Sequence, residues 1–155
     1  MITGKYPSLR LRRNRKFNWI RRLVRENDLS SNDLILPIFL TEGTNKQIKI
    51  NSMPGVYRYS INMLPKVIDK ALSNGIPMVS FFPYTANSKK NEIGSEALNE
   101  NNLVCKALTY SKKRYKNEIG LMADVALDPY TSHGHDGLLK KNKVINDETI
   151  SVLIK

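Results

Sequence analysis

The apolar positions of the chain fall in short runs and helical stripes that alternate along its length. Leu34-Ile35-Leu36-Pro37-Ile38-Phe39-Leu40 is continuous and is bounded by Ser30-Ser31-Asn32-Asp33 and by Glu42-Gly43. That pattern predicts a strand buried on both faces. Pro37 has no amide hydrogen to give and stands against full pairing in a central strand. In 51–58, Pro54-Gly55 predicts a turn. Leu64, Val67, Ile68, Ala71 and Leu72 follow at i, i+3, i+4, i+7 and i+8, one stripe of a helix. Ser60 suits its N-cap, Pro65 its first turn and Asn74-Gly75 its stop. Met78-Val79-Ser80-Phe81-Phe82 is a second short strand, ended by Pro83.

The stretch 84–101 is long and polar, and a loop of that length inside a compact domain is commonly functional or mobile. A helix follows over about 102–115, with Leu103, Val104, Ala107 and Leu108 as its buried stripe. Residues 120–127 predict a third buried strand, 128–137 a loop rich in Gly and His, and Asn146 the cap of a last helix. Asp147 and Glu148 would sit in that helix's electropositive first turn. Alternating buried strands and amphipathic helices imply a parallel sheet with right-handed crossovers. Three such units leave exposed edges and uncovered faces, so the expectation is the N-terminal part of a larger α/β fold. A closed (β/α)8 TIM barrel takes eight such units and about 250 residues.

Composition narrows the class. With 41% hydrophobic residues the 155-residue chain is globular, not disordered. A single cysteine excludes a disulfide framework and a cysteine-built zinc site within the chain. No apolar run reaches the roughly 18–20 residues of a membrane span. A soluble, cytoplasmic protein without membrane contact is expected.

Charge divides the chain further. The net +11 is concentrated, because the first 25 residues hold nine basic groups and no acid, leaving 16 basic and 14 acidic groups for the other 130. Such a segment suits a phosphate-binding arm, an organelle transit peptide or an arm pairing with acidic groups of a neighbouring subunit. Phe17, Trp19, Ile20, Leu23 and Val24 lie at near-helical spacing, which favours a short helix docked by one face. The expected organisation is a basic arm over 1–30 and three β/α units over 31–155.

The chemistry is concentrated in 124–137. Asp124 interrupts an apolar strand near its C-terminal end, where parallel α/β folds bind ligands. A carboxylate there calls for a cationic partner. Asp128, His133, His135 and Asp136 add four metal-ligating or acid–base groups within nine residues. Each has a plainer reading: Asp128 and Asp136 as turn formers, the two histidines as an unremarkable pair around a glycine, and Thr131 and Ser132 as caps of loop amides. Cys105 reads as a small core residue, and Lys112-Lys113-Arg114 as a solvated helix face.

The segment Asp124-Val125-Ala126-Leu127-Asp128-Pro129-Tyr130-Thr131-Ser132-His133-Gly134-His135-Asp136-Gly137 resembles the metal-loop signature of the delta-aminolevulinic acid dehydratases, or porphobilinogen synthases. Further blocks stand in the family's order: Arg12-Arg13-Asn14-Arg15, residues 19–27, residues 33–42, Ser52-Met53-Pro54-Gly55-Val56-Tyr57-Arg58, Gly75-Ile76-Pro77, Gly94-Ser95-Glu96-Ala97 and Asn146-Asp147-Glu148-Thr149. The resemblance runs from about residue 10 to the end. It implies a (β/α)8 barrel with an arm wrapped on a neighbouring subunit, usually in a homo-octamer. It also implies condensation of two 5-aminolevulinate molecules to porphobilinogen, with loss of two waters, in tetrapyrrole synthesis.

The resemblance assigns Asp124 to the active site, orienting a substrate amine or a proton. Asp128, Tyr130, Thr131, Ser132, His133, His135 and Asp136 form the substrate and metal loop. The family's zinc-dependent branch carries three cysteines where this chain has Ala126, Asp128 and Asp136, so cysteine-ligated Zn2+ is not expected. An aspartate-rich loop points to Mg2+, at Asp128 and Asp136 or at a separate allosteric site. The family's two Schiff-base lysines match no residue here; Lys140, Lys141 and Lys143 correspond to neither. The 155 residues alone are therefore expected to be inactive and poorly folded. Two other readings stand beside this one: a nucleic-acid-binding module built on the basic arm, and another Schiff-base barrel lyase such as an aldolase. The resemblance favours neither and implies no nucleic-acid partner.

Overall fold

The computed structural model of the chain describes residues 4–155, which divide into two compact units, one ending at Ser30 and the other spanning Ser31–Lys155. The first three residues of the basic arm lie outside the described residues. In the first unit a 3-10 turn, Arg13–Arg15, precedes helix α1, Asn18–Leu23. Arg21 reaches back to the Asn18 side chain and the Arg15 carbonyl, and Arg25 pairs with Asp28. The Phe17 and Trp19 rings lie nearly parallel, 6.4 Å apart. Six residues are too few for a helix stable by itself, and Trp19 and Leu23 remain exposed.

The second unit is built on one five-stranded sheet. Its strands are β1 (Ile35–Leu40), β2 (Gln47–Lys49), β3 (Tyr57–Tyr59), β4 (Met78–Pro83) and β5 (Gly120–Ala123), in the order β2-β3-β1-β4-β5. The three strands expected from the sequence are parallel neighbours: Ile35 stands opposite Met78, and Met78 opposite Gly120. Helix α2 (Leu64–Ser73) crosses from β3 to β4, and α3 (Leu103–Tyr115) from β4 to β5. Both helices pack on one face of the sheet. Ile38, Leu40, Val79 and Phe81 from the strands meet Leu64, Ile68, Ala71, Val104 and Ala107 from the helices in one core.

Several details differ from the sequence expectation. The outer positions of one face stay open, with Ile35 of β1 and Met122 of β5 exposed, whereas central β4 buries Val79, Ser80 and Phe81 in succession. The turn at Pro54-Gly55 belongs to a hairpin, β2 antiparallel to β3, whose second strand pairs with β1 at Phe39 and Leu40. Those strands are three residues each, too short to give a clear period-two signal. Because β3 pairs only with the end of β1, Pro37 lies where that edge has no β3 partner. Ser60 precedes a 3-10 turn, Ile61–Met63, rather than capping α2 directly. Its hydroxyl accepts the Lys46 amide at 2.9 Å. By contrast Asn102 does cap α3, its side chain accepting the Cys105 amide at 2.8 Å.

The third strand ends at Ala123, four residues before the apolar pattern does. Beyond the loop, β6 (Leu139–Lys140) and β7 (Lys143–Val144) form a small hairpin whose turn residues Lys141 and Asn142 both have positive φ. Helix α4 (Asn146–Leu153) follows. Asn146 is its first helical residue, not its cap; Ile145 holds the cap position, and Thr149 does the local bonding. The Thr149 hydroxyl accepts the Leu138 amide at 2.9 Å and donates to the Ile145 carbonyl at 2.6 Å.

Candidate functional site

Asp124 is the first residue past β5. Side chains alternate along a strand, so Gly120, Met122 and Asp124 share the sheet face that the helices leave open. From there the chain turns tightly: the amides of Tyr130 and Thr131 both donate to the Leu127 carbonyl at 2.9 Å. Leu127, Tyr130 and Thr131 are buried and anchor the loop, whereas Asp124, Ser132, His135 and Asp136 are exposed at its surface. The Thr131 hydroxyl donates to the His135 carbonyl at 3.0 Å, closing the His-Gly-His turn from inside.

The two histidines face the backbone and each other. The His135 amide donates to His133 Nδ1 at 3.2 Å, which makes that nitrogen an acceptor. The ring hydrogen of the neutral imidazole therefore sits on Nε2, which donates to the Glu92 carbonyl at 3.1 Å. The rings lie 5.5 Å apart.

The three aspartates meet at Asp128. Burial raises the Asp128 carboxyl above its usual range, and the charge of Asp136, a hydrogen bond with it and the charge of Asp124 push it the same way. Burial also pushes the Tyr130 phenol up to about 12, aided by Cys105, Glu96 and Asp128, so it stays a neutral hydroxyl at physiological pH. The chemistry of this donor set, hard carboxylate oxygens with no thiolate at 126, 128 or 136, suits Mg2+. Among the described residues no cluster of three or more His, Cys, Asp or Glu side chains has the arrangement of a metal site. Asp128 and Asp136 therefore form a pair of carboxylates, not a closed cage. The histidines are not drawn into that pair.

Sequence reasoning passed over Asn91. In the 84–101 segment its side-chain oxygen accepts the amides of Ile93 and Ser95, at 3.2 and 3.1 Å, and its amide nitrogen bonds the Ser95 hydroxyl. Its backbone forms a parallel bridge to Thr131, with its amide on the Tyr130 carbonyl and its carbonyl taking the Ser132 amide at 3.0 Å. Gly94 suits the turn beside it through its φ of +61°, a backbone conformation that other residues adopt only with strain. The long polar segment is therefore an ordered wall of the 124–137 loop. An Asn within a Lys-Asn-Glu string gave no sign of this. Beside the loop, Glu92, Ser132, His133, Leu139, Lys141 and Asn142 line a cleft of about 340 Å³.

A parallel α/β sheet with its helices on one face and a carboxylate-bearing loop at the C-terminal ends of its strands is the architecture of a barrel enzyme's ligand-binding rim. The sequence profile of the family described as Delta-aminolevulinic acid dehydratase matches residues 8–155. This chain belongs to that family.

Among curated relatives, the delta-aminolevulinic acid dehydratase of Bradyrhizobium diazoefficiens is 51% identical over 148 residues, covering 96% of this chain and 42% of that protein. That of Chlamydia pneumoniae is 40% identical over 145 residues, 94% of this chain and 43% of the relative. A crystal structure of the Toxoplasma gondii enzyme, solved in complex with the reaction product porphobilinogen, matches with a TM-score of 0.80 and 38% identity. The match covers 94% of this chain and 41% of that one. The chain thus spans about two-fifths of the length of these relatives, and its fold is that of part of their barrel.

Proposed function

We propose that this chain is the part of a porphobilinogen synthase that carries the substrate loop. The enzyme joins two molecules of 5-aminolevulinate, losing two waters, in tetrapyrrole synthesis. The observation that carries the reading is the family match over 8–155, which takes in the whole 124–137 loop at the strand ends. The same match decides against an aldolase-type barrel lyase.

The residues divide the work as follows. Asp124, on the open face, receives a substrate ammonium or its proton. Asp128 holds a proton to higher pH than an ordinary carboxyl and is suited to pass one during dehydration. Tyr130 and Thr131, both buried, hold the loop's shape. Asp128 and Asp136 would hold Mg2+, which when bound would supply charge neutralisation at the loop. The Schiff-base lysines of the family match no residue of this chain, so the reading assigns them to segments that the chain does not match. The arm over 1–30 packs on a neighbouring subunit of a homo-octamer, and the enzyme works in the cytoplasm. No helix among the described residues is long and apolar enough to cross a membrane.

The test uses the full-length protein. Borohydride reduction in the presence of 5-aminolevulinate is expected to leave a substrate adduct on a lysine outside residues 1–155. Asp124→Asn is expected to lower kcat about 10²–10⁴-fold, the usual contribution of a positioned acid or base. An adduct on Lys140, Lys141 or Lys143, or an Asp124→Asn enzyme of undiminished kcat, would overturn the assignment.

A further inference from the structure

Lys89 lies where three segments meet. It ends a 3-10 turn, Asn87–Lys89, in the polar wall that follows β4. Its ammonium pairs with the Glu42 carboxylate, 47 positions back and two residues past β1. It also lies 3.7 Å from the Glu96 carboxylate, further along the wall. The other oxygen of Glu96 accepts the Asn99 side-chain amide at 3.1 Å. One cation thus stands between two carboxylates from different parts of the chain. Among the described residues neither acid has another ion-pair partner. The hydrogen bond to Glu42 raises the ammonium's pKa above the ordinary lysine value; partial desolvation opposes this, and the charges of Glu42 and Glu96 add to it.

Two residues on, the wall grips the 124–137 loop. The Asn91 amide donates to the Tyr130 carbonyl at 3.3 Å, and its carbonyl accepts the Ser132 amide at 3.0 Å. The Glu92 carbonyl takes His133 Nε2. On the other side, the Tyr84 amide donates to the Leu40 carbonyl at 3.1 Å. Between that bond and Asn91, the Lys89–Glu42 pair is the one polar tie to the β1 end among the described residues. An exposed ion pair contributes little to stability, and the Lys89 and Glu42 side chains are 42% and 51% exposed. Its place matters more than its strength. The tie sits two residues from the bridge that orders a loop whose acid groups need positions fixed to about 0.5 Å.

We propose that Lys89 is a positioning residue: by clamping the wall to the end of β1 through Glu42, it holds the 124–137 loop in its working position through the Asn91–Thr131 bridge. This rests on the synthase reading and adds to it a residue that touches no substrate. A plain surface ion pair would leave the reaction indifferent to Lys89.

The experiment uses the full-length protein. Lys89→Met is expected to lower kcat about five- to twentyfold with KM within about twofold, a share of the roughly hundredfold that a 1 Å misplacement costs. The melting temperature should move by no more than about 2–3 °C. Glu42→Gln should lower kcat similarly, and the double variant should be no slower than Lys89→Met, because both changes break one contact. Hydrogen exchange at the Ser132 amide should quicken in each. Lys89→Arg keeps charge and reach and should restore most of kcat. Undiminished kcat, losses that multiply in the double variant, or a Ser132 amide as protected as in wild type would overturn the proposal. So would a melting temperature that falls in step with kcat, which would make Lys89 a stabiliser of the whole fold. A wild-type protein that makes no porphobilinogen sinks the synthase reading alone, because Ser132 exchange still reports on the clamp.

Discussion

The two faces of the central sheet carry similar side chains and have different fates. On one, Ile38, Leu40, Val79 and Phe81 meet α2 and α3 and are fully buried. On the other, Ile35 and Met122 stand in the same strands and remain exposed, with the polar rim of Arg58, Tyr84 and Asp124 above them. Hydrophobicity alone does not separate these sets, since both are apolar. What separates them is whether an amphipathic helix with a matching stripe lies in the adjacent sequence. The covered face supplies stability; the bare face carries the polar rim on which Asp124 stands.

The largest effect should come from setting one face against the other. Phe81→Ala removes a fully buried ring and is expected to cost about 3–5 kcal/mol, enough to abolish whatever cooperative transition the 155-residue chain shows by itself. Met122→Ala, 40% exposed, should cost under about 1 kcal/mol there. Urea unfolding followed by circular dichroism measures both. In the full-length protein the cost of Met122→Ala should rise to about 2–5 kcal/mol, close to that of Phe81→Ala, because a closed barrel fills its interior with such side chains. Equal costs for the two variants in the short chain would break the contrast.

A smaller effect tests how the rim is built. Asn91→Ala deletes the acceptor of two amides and frees the wall that bridges to Thr131, an expected loss of about 1–3 kcal/mol. Asn91→Asp keeps the acceptor oxygens and should recover most of it. Hydrogen exchange at the Ile93, Ser95 and Ser132 amides reads the change locally. Fast exchange confined to 93 and 95 would mean that the bridge at 132 stands without Asn91's side chain.

The sequence made the covered face legible and the rim only partly so. The stripe of α2 and the runs of β1 and β4 are local patterns, and each folds within a residue or two of its expected bounds. The 124–137 loop could be singled out because its residue types are chemically loaded. Asn91 and the Arg58–Tyr84 stack could not. They arise from the approach of segments 40 and 26 positions apart, which no window of sequence contains. The hairpin of β2 and β3 was hidden for a simpler reason: three-residue strands carry no period. Burial on both faces was misread in β1 and β5 because the apolar run records what the strand can bury, not what this length of chain covers.

The smallest expected effect, and the most specific to the rim, concerns proton uptake. Burial first, then the charge and hydrogen bond of Asp136 and the charge of Asp124, raise the Asp128 carboxyl above 3.8. In the folded chain it therefore keeps its proton to higher pH than in the unfolded chain. Folding takes up protons in the interval between the two values, so the stability this group contributes falls as pH rises through that interval and stays lower above it. Asp136→Asn removes two of the causes but not burial. It should flatten the fall in melting temperature as pH rises above the ordinary aspartate range without removing it, and should leave the curve below that range unchanged. Asp128→Asn should remove this group's contribution altogether. If Asp136→Asn left the pH dependence untouched while Asp128→Asn abolished it, burial alone would govern Asp128. The Asp128–Asp136 pair would then no longer count as a coupled carboxylate site.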